Sequence, residues 1–597
     1  MKGEESVPMS RFGPLFLEDG RIRFQIWAPD VNSLDIEIDG EAALPMQRDR
    51  DGWYTLDSGC GAGARYAFVL PDGTRVPDPA ARAQVQDAEG DSRVVDGRSY
   101  RWNNPHWHGK PWPETVLYEV HVGLVGGFDA LRAQLGSIAS LGVTAIELMP
   151  IADFYGARNW GYDGVLPYAP DTTYGTPDAL RALVDAAHDL GLSVFLDVVY
   201  NHFGPRGNFL GLYAKAFFRD DIDTPWGGAI DYRRPEVREF FTANAIFWLT
   251  EYRFDGLRLD AVHTIEGAGW LETLPAQVRA AVGGERYVHL VLENDDNDAH
   301  LLEQGFDAQW NDDAHHALHV LLAGEAFGYY ADHADAPAKR LARCLAQGFD
   351  YQGEFSDYRD RTRGSPSAHL PVTSFVWFLQ NHDQIGNRAL GERLPVLARP
   401  AALRAAMALL LLAPHVPLLF MGDEHGSTTP FYYFTGFDGD LARAVRDGRR
   451  REFARFPGFA TDDMQATIPD PNDVATFLAC RIDAPGAPQD APALEWLGWV
   501  RGLLLLRRSC LAGRLAGTST LGAWALGDSA VAARWRLGDG KVLALFANLG
   551  TADTSLDGVR VDLARTLLYE SAPGAARRIT AGTLPAATTV ARFEADI

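Results

Sequence analysis

Four short apolar runs in the middle of this chain each close on a carboxylate. They are Phe-Leu-Asp at Asp197, Leu-Arg-Leu-Asp at Asp260, Leu-Val-Leu-Glu at Glu293 and Phe-Leu-Gln-Asn-His-Asp at Asp383. Runs of this kind read as strands buried on both faces, which belong to parallel sheets covered by helices. Helical periodicity fills the intervals: Phe128, Leu131, Leu135, Ile138 and Leu141 share one face, and further helices are expected over 177–190 and 237–251. Strands starting at Val116 and Val143, strands ending at Asp197 and Asp260, and others ending near Glu293, Trp310, Asp383 and Met421 complete a (β/α)8 barrel. Active sites of that architecture lie at the C-terminal ends of the strands, where these acids fall.

The flanks read differently. From Phe12 to about Pro111, short strands alternate with turns, as in Arg21-Ile-Arg-Phe-Gln-Ile-Trp27, which predicts an N-terminal β-sandwich over 1–111. The barrel is expected over 112–516. Past Gly517 the period returns to two, with a turn at Gly538-Asp539-Gly540, predicting an antiparallel β-domain over 517–597. At 597 residues the chain exceeds one core, in keeping with a multidomain α/β protein. The stretch from Ala405 to Met421 is broken by Pro414 and reads as a helix ending at Leu412 and then a buried strand, not a membrane span.

A net charge of −24 argues against nucleic acid or an anionic membrane as partner and suits a neutral substrate such as a sugar. Cys60, Cys344, Cys480 and Cys510 show no metal-type spacing and read as isolated thiols. The opening residues carry no apolar signal segment, so a cytoplasmic location is expected.

Glycoside hydrolysis needs one carboxyl group as nucleophile or base and another as acid, facing each other across the scissile bond. Arg258 lies two residues before Asp260, so both side chains point to one face of a strand. A guanidinium there would hold Asp260 ionised for attack. Glu293 is the acid candidate and needs a raised pKa. Asp383 is placed to bind ring hydroxyls and to favour a cationic transition state. His202 and His382 could donate to the same sugar without carrying charge, and Asp197 would orient Arg258 and Tyr162. A lone strand-end acid is most often a cap or loop anchor, but four in order on such strands favour catalysis.

These motifs resemble the four signature regions of the α-amylase family of glycoside hydrolases: Asp197 to His202, Arg258 to His263, Glu293, and His382-Asp383. The resemblance covers nearly the whole chain. It implies a retaining mechanism through a glucosyl-Asp260 intermediate, with Glu293 as acid then base and Asp383 stabilising the transition state. It also implies carboxyls roughly 5–5.5 Å apart, and an N-terminal sandwich of the immunoglobulin-like type found in branching and debranching enzymes. Within the family, the segments 155–165, 224–227, 309–316 and 421–431 are similar to the trehalose-releasing group. Members of that group act on maltooligosyltrehalose and related α-1,4-glucans and cut the α-1,4 bond next to the terminal trehalose. Ala314 and His425 stand where bulkier aromatics are expected.

Further sugar contacts are expected from Tyr162, stacking on the ring, and from Asp163 through structural hydrogen bonds. The rest of the set comprises Trp226, His263, Asn311, Asp312, Asp313, His315, His316, Gln384, Asn387 and Glu424. The aromatics from Phe431 to Phe434 could line the cleft or pack a loop. No metal and no cofactor is expected, because the segment after the third strand lacks a long insertion that could supply six to eight calcium oxygens. The expected enzyme is a monomer acting after a maltooligosyltrehalose synthase. The alternatives are a glycogen branching or debranching enzyme, and a catalytically dead scaffold relative, which should have lost the carboxylates present here.

Overall fold

The computed structural model describes residues 11–224, 227–267, 269–456, 458–482, 490–558 and 565–594. Eight parallel strands close in sequence order into a barrel. They are β1 (Leu117–Val120), β2 (Ala145–Leu148), β3 (Ser193–Val198), β4 (Gly256–Leu259), β5 (His289–Leu292), β6 (Ala308–Trp310), β7 (Phe375–Trp377) and β8 (Val416–Phe420). The expected barrel is thus present. One boundary differs: β7 stops at Trp377, and Asp383 sits beyond it in the first turn of a short helix, His382–Gly386. Asn381 starts that helix, its side-chain oxygen accepting from the backbone N–H groups of Asp383 and Gln384.

The pleat sends alternate residues inward. Leu117, Ala145, Phe195, Val291, Ala308, Val376 and Leu418 form one apolar layer. Two residues further along β1 to β5 come Glu119, Glu147, Asp197, Arg258 and Glu293, a polar layer toward the strands' C-terminal ends. Register pairs Glu119 with Glu147 and Asp197 with Arg258. Glycine at 256 lets this stacking close, since a Cβ there would lie 2.1 Å from the Phe195 ring.

Before the barrel, two antiparallel sheets face each other. Ile22, Phe24 and Ile26 of one are buried against Ile36, Tyr66 and Phe68 of the other. Phe12 meets Phe240 of the barrel edge-on with ring centroids 5.1 Å apart. After the barrel comes a five-stranded antiparallel sheet, in which Ala530–Arg536 and Val542–Asn548 form the expected hairpin. Helix Pro400–Leu412 lies between this sheet and the barrel and is buried on almost every side. The Thr589 hydroxyl donates to the Ala405 carbonyl at 2.7 Å. Arg507, on helix Ala491–Cys510, donates to the carbonyls of Leu411, Ala413 and His415 at 3.1, 2.6 and 2.7 Å, at and just past the end of helix Pro400–Leu412. The four cysteines are unpaired. Among the described residues no helix is long and apolar enough to cross a membrane.

Candidate active site

Arg258 is the hub of the catalytic face. Its Nη1 donates to Asp197 at 2.7 Å and to Asp260 at 2.9 Å, and its Nη2 donates to Glu293 at 2.8 Å. The guanidinium lies over the Trp310 ring, 4.3 Å from its centroid, and is buried. Parallel pairing explains the convergence. Asp197 and Arg258 are register neighbours, while Asp260 and Glu293 each follow the last residue of adjacent strands. Ala261 turns the chain in the left-handed region, φ 40° and ψ 48°, which aims its N–H at Glu293, 2.9 Å away.

Asp260 and Glu293 meet the same guanidinium, at 2.9 and 2.8 Å. Burial, and then the charge of Glu293, hold the Asp260 carboxyl well above its usual range. Burial raises Glu293 too, but Arg258 and the Ala261 N–H outweigh it and leave that carboxyl below its ordinary value. Arg258 divides one nitrogen between Asp197 and Asp260 and gives the other to Glu293.

A second chain of contacts runs from the barrel interior to the same hub. The Tyr162 hydroxyl sits 2.6 Å from Asp197 and 2.8 Å from Nε2 of His382, with the Tyr162 and His382 rings stacked at 5.2 Å. Glu119 faces Nδ1 of His382 and accepts its backbone N–H at 3.1 Å. The Tyr162 hydroxyl donates to Asp197. Burial lowers the His382 pKa, but Glu119 outweighs burial and the net shift is upward. His202 does stay neutral: burial pushes it down to about 4, and its Nε2 contacts the Tyr162 carbonyl at 2.9 Å.

Asp383 is held by Asn387, whose Nδ2 donates at 2.6 Å. Gln384 donates to Asp312 at 3.2 Å. Burial raises the Asp312 carboxyl, followed by the charges of Glu293, Asp295 and Asp383. Asp163 accepts from Asn159 at 2.6 Å and burial pushes it up to about 6. His263 takes the Asp295 N–H at 3.2 Å.

Other expected contacts are corrected. Asn311 caps helix Asp312–Ala323 through its oxygen and gives its Nδ2 to the Gly348 carbonyl at 2.8 Å. Asp313, one residue from Asp312, points inward to Asn297, Arg363 and the backbone of Asp350 and Tyr351. His315 and His316 are buried among Phe378, Tyr329 and Tyr330. Glu424 is fully buried and accepts the Gly422 N–H at 2.9 Å, while His425 contacts it at 3.0 Å. These side chains offer no surface to a sugar. Phe431 and Phe434 are core, Phe431 stacking on Trp160 at 5.3 Å. Trp226 lies outside the described residues.

Sequence reasoning missed Glu119, Glu147 and Asp295. The signal for the first two was available: a carboxylate in the middle of an otherwise apolar buried strand. Asp295 binds Arg359, with Nε at 2.6 Å, and so holds the hairpin formed by Glu354–Ser356 and Arg361–Arg363 beside the acids.

The alpha amylase catalytic-domain model matches residues 86–215, and a domain of unknown function, DUF3459, matches 515–591. The malto-oligosyltrehalose trehalohydrolase of Deinococcus radiodurans is 42% identical over 511 residues, covering 84% of this chain and 83% of that protein. The enzyme of the same name from Saccharolobus solfataricus is 38% identical, covering 74% and 80%. A 1.4 Å crystal structure of a Salmonella typhimurium protein, provisionally assigned as an alpha amylase, superposes with a TM-score of 0.91. It is 41% identical and covers 98% of this chain and 100% of that one. The chain belongs to the malto-oligosyltrehalose trehalohydrolases, a family built on the α-amylase barrel.

Proposed function

We propose that this protein hydrolyses the α-1,4-glucosidic bond next to the terminal trehalose unit of maltooligosyltrehalose and releases trehalose with retention at the anomeric carbon. The observation that carries the reading is the pair Asp260 and Glu293, closely apposed on one guanidinium in a chain that matches trehalose-releasing enzymes along most of its length.

In this reading Asp260 and Glu293 share one proton, held first on Asp260, and it is the one used in catalysis. A glucosyl ring entering between them presents its glycosidic oxygen to Glu293 and its anomeric carbon to Asp260. Transfer of the proton to Glu293 ionises Asp260 in the same event. Glu293 then protonates the leaving oxygen while an Asp260 oxygen bonds to the anomeric carbon, and trehalose departs. Glu293, now a carboxylate, removes a proton from water as that water displaces Asp260. Asp383, steadied by Asn387, stabilises the positive charge that develops on the ring. Tyr162, Asp163, His202, His263, Asp312, Gln384 and Asn387 shape the cleft around the sugars.

Rates on maltooligosyltrehalose and on plain maltooligosaccharide of equal length test the proposal. A much higher kcat/KM on the trehalose-capped chain is expected, with free trehalose as the disaccharide product. Equal rates, or new α-1,6 branches, refute it in favour of a general amylase or a branching enzyme.

A further inference from the structure

Beneath the catalytic face, three buried side chains from two elements converge with the chemistry of metal ligands. Asp313 and His316 stand three residues apart on helix Asp312–Ala323 and therefore on one face. His333 ends the 3-10 helix Gly328–His333. One ligating atom from each lies within 4.8 Å of the other two. His333 Nε2 is 3.4 Å from Oδ1 of Asp313 and 3.7 Å from Oδ2 of Asp350. Atoms bound at 2.0–2.1 Å around a tetrahedral ion are separated by about 3.3 Å, close to the His333–Asp313 spacing.

Both ring nitrogens of His333 and Nδ1 of His316 are buried without a hydrogen-bond partner, an uncommon state for groups of this kind.

We propose that Asp313, His316 and His333 bind a first-row transition dication of the zinc type, with Asp350 able to close the shell. Two imidazoles and a carboxylate are the donor set zinc takes, whereas calcium and magnesium prefer oxygen alone. Arg363 already holds Oδ1 of Asp313, and Arg340 holds Asp350 at 2.6 Å. These guanidinium groups weaken both carboxylates as ligands, so the imidazoles carry most of the affinity. The ion would have a structural role. It would tie the helix that carries Asp312 to the 3-10 helix beside it, and so fix Asp312 near the acids without touching substrate.

Elemental analysis of the full-length protein, purified from zinc-containing medium and freed of loose metal, tests the assignment. One transition-metal ion per chain is expected, falling to about a tenth of that in His333→Gln and in His316→Gln. Stripping the wild-type protein with chelator should lower its Tm, and zinc, but not calcium or magnesium, should restore it. A metal-free wild-type protein whose Tm does not respond to zinc overturns the proposal. Metal retained in both variants does the same, by locating it elsewhere. Should His333→Gln fail to fold, the wild-type metal content and His316→Gln still decide.

Discussion

Replacing Arg258 by lysine keeps one positive charge at the centre of the site and removes its geometry. The guanidinium reaches Asp197, Asp260 and Glu293 at 2.7, 2.9 and 2.8 Å from two nitrogens held in one plane. A lysine ammonium is a single point on a flexible stem and cannot occupy both positions. If it keeps one of the three contacts, two charge-assisted hydrogen bonds are lost, each worth ~1.5–3 kcal/mol when buried. Loss of ~3–6 kcal/mol of positioning corresponds to a fall in kcat/KM of roughly 10²–10⁴-fold. The assay is trehalose release from maltooligosyltrehalose, with circular dichroism showing that the variant is folded. A folded Arg258→Lys protein within about tenfold of wild type would refute the view that planar bidentate geometry, rather than charge alone, sets the catalytic pair.

Three further outcomes are expected. Asp260→Asn and Glu293→Gln should each lower turnover by several orders of magnitude in a folded protein, and the double variant should lose little more, because the two act as a unit; near-normal turnover in either single variant would contradict the roles proposed. His382 has a folded pKa above its ordinary value, so its contribution is complete below pH ~6.5 and is lost as pH rises through the raised value; kcat/KM should show this alkaline limb, and Glu119→Gln should move it to lower pH. Arg507→Leu leaves three buried carbonyls without donors and should cost about 3–5 kcal/mol in chemical denaturation, against which an unchanged midpoint would count.

The barrel was readable because buried parallel strands announce themselves as apolar runs, and the acids that end them break those runs abruptly. Asp197, Arg258, Asp260 and Glu293 fall in register for that reason. Asp383 was found from its motif, but its position was misread, because a run ending in Gln-Asn-His-Asp does not show where β7 gives way to a helix. The polar cluster from Asn311 to His316 misled further. In a list of residues it looks like a sugar-binding loop, yet it forms the first turns of a helix, and the helical period sends Asp312 toward the acids and Asp313 into the core. Protonation was least legible. The opposite shifts of Asp260 and Glu293 depend on which nitrogen of Arg258 meets which carboxylate, and the upward shift of His382 depends on Glu119, more than 250 residues earlier in the chain.

Helix Pro400–Leu412 has almost no face meant for water: every residue from Ala405 to Leu412 is buried, with the barrel on one side and the C-terminal sheet on the other. The catalytic barrel is therefore not a portable module. A chain cut before Ser519 would bare a stripe of alanine and leucine that folded monomers rarely expose, and it should be recovered as aggregate. Grafting this barrel onto another scaffold, or shuffling it between relatives, has to carry the C-terminal sheet along with it.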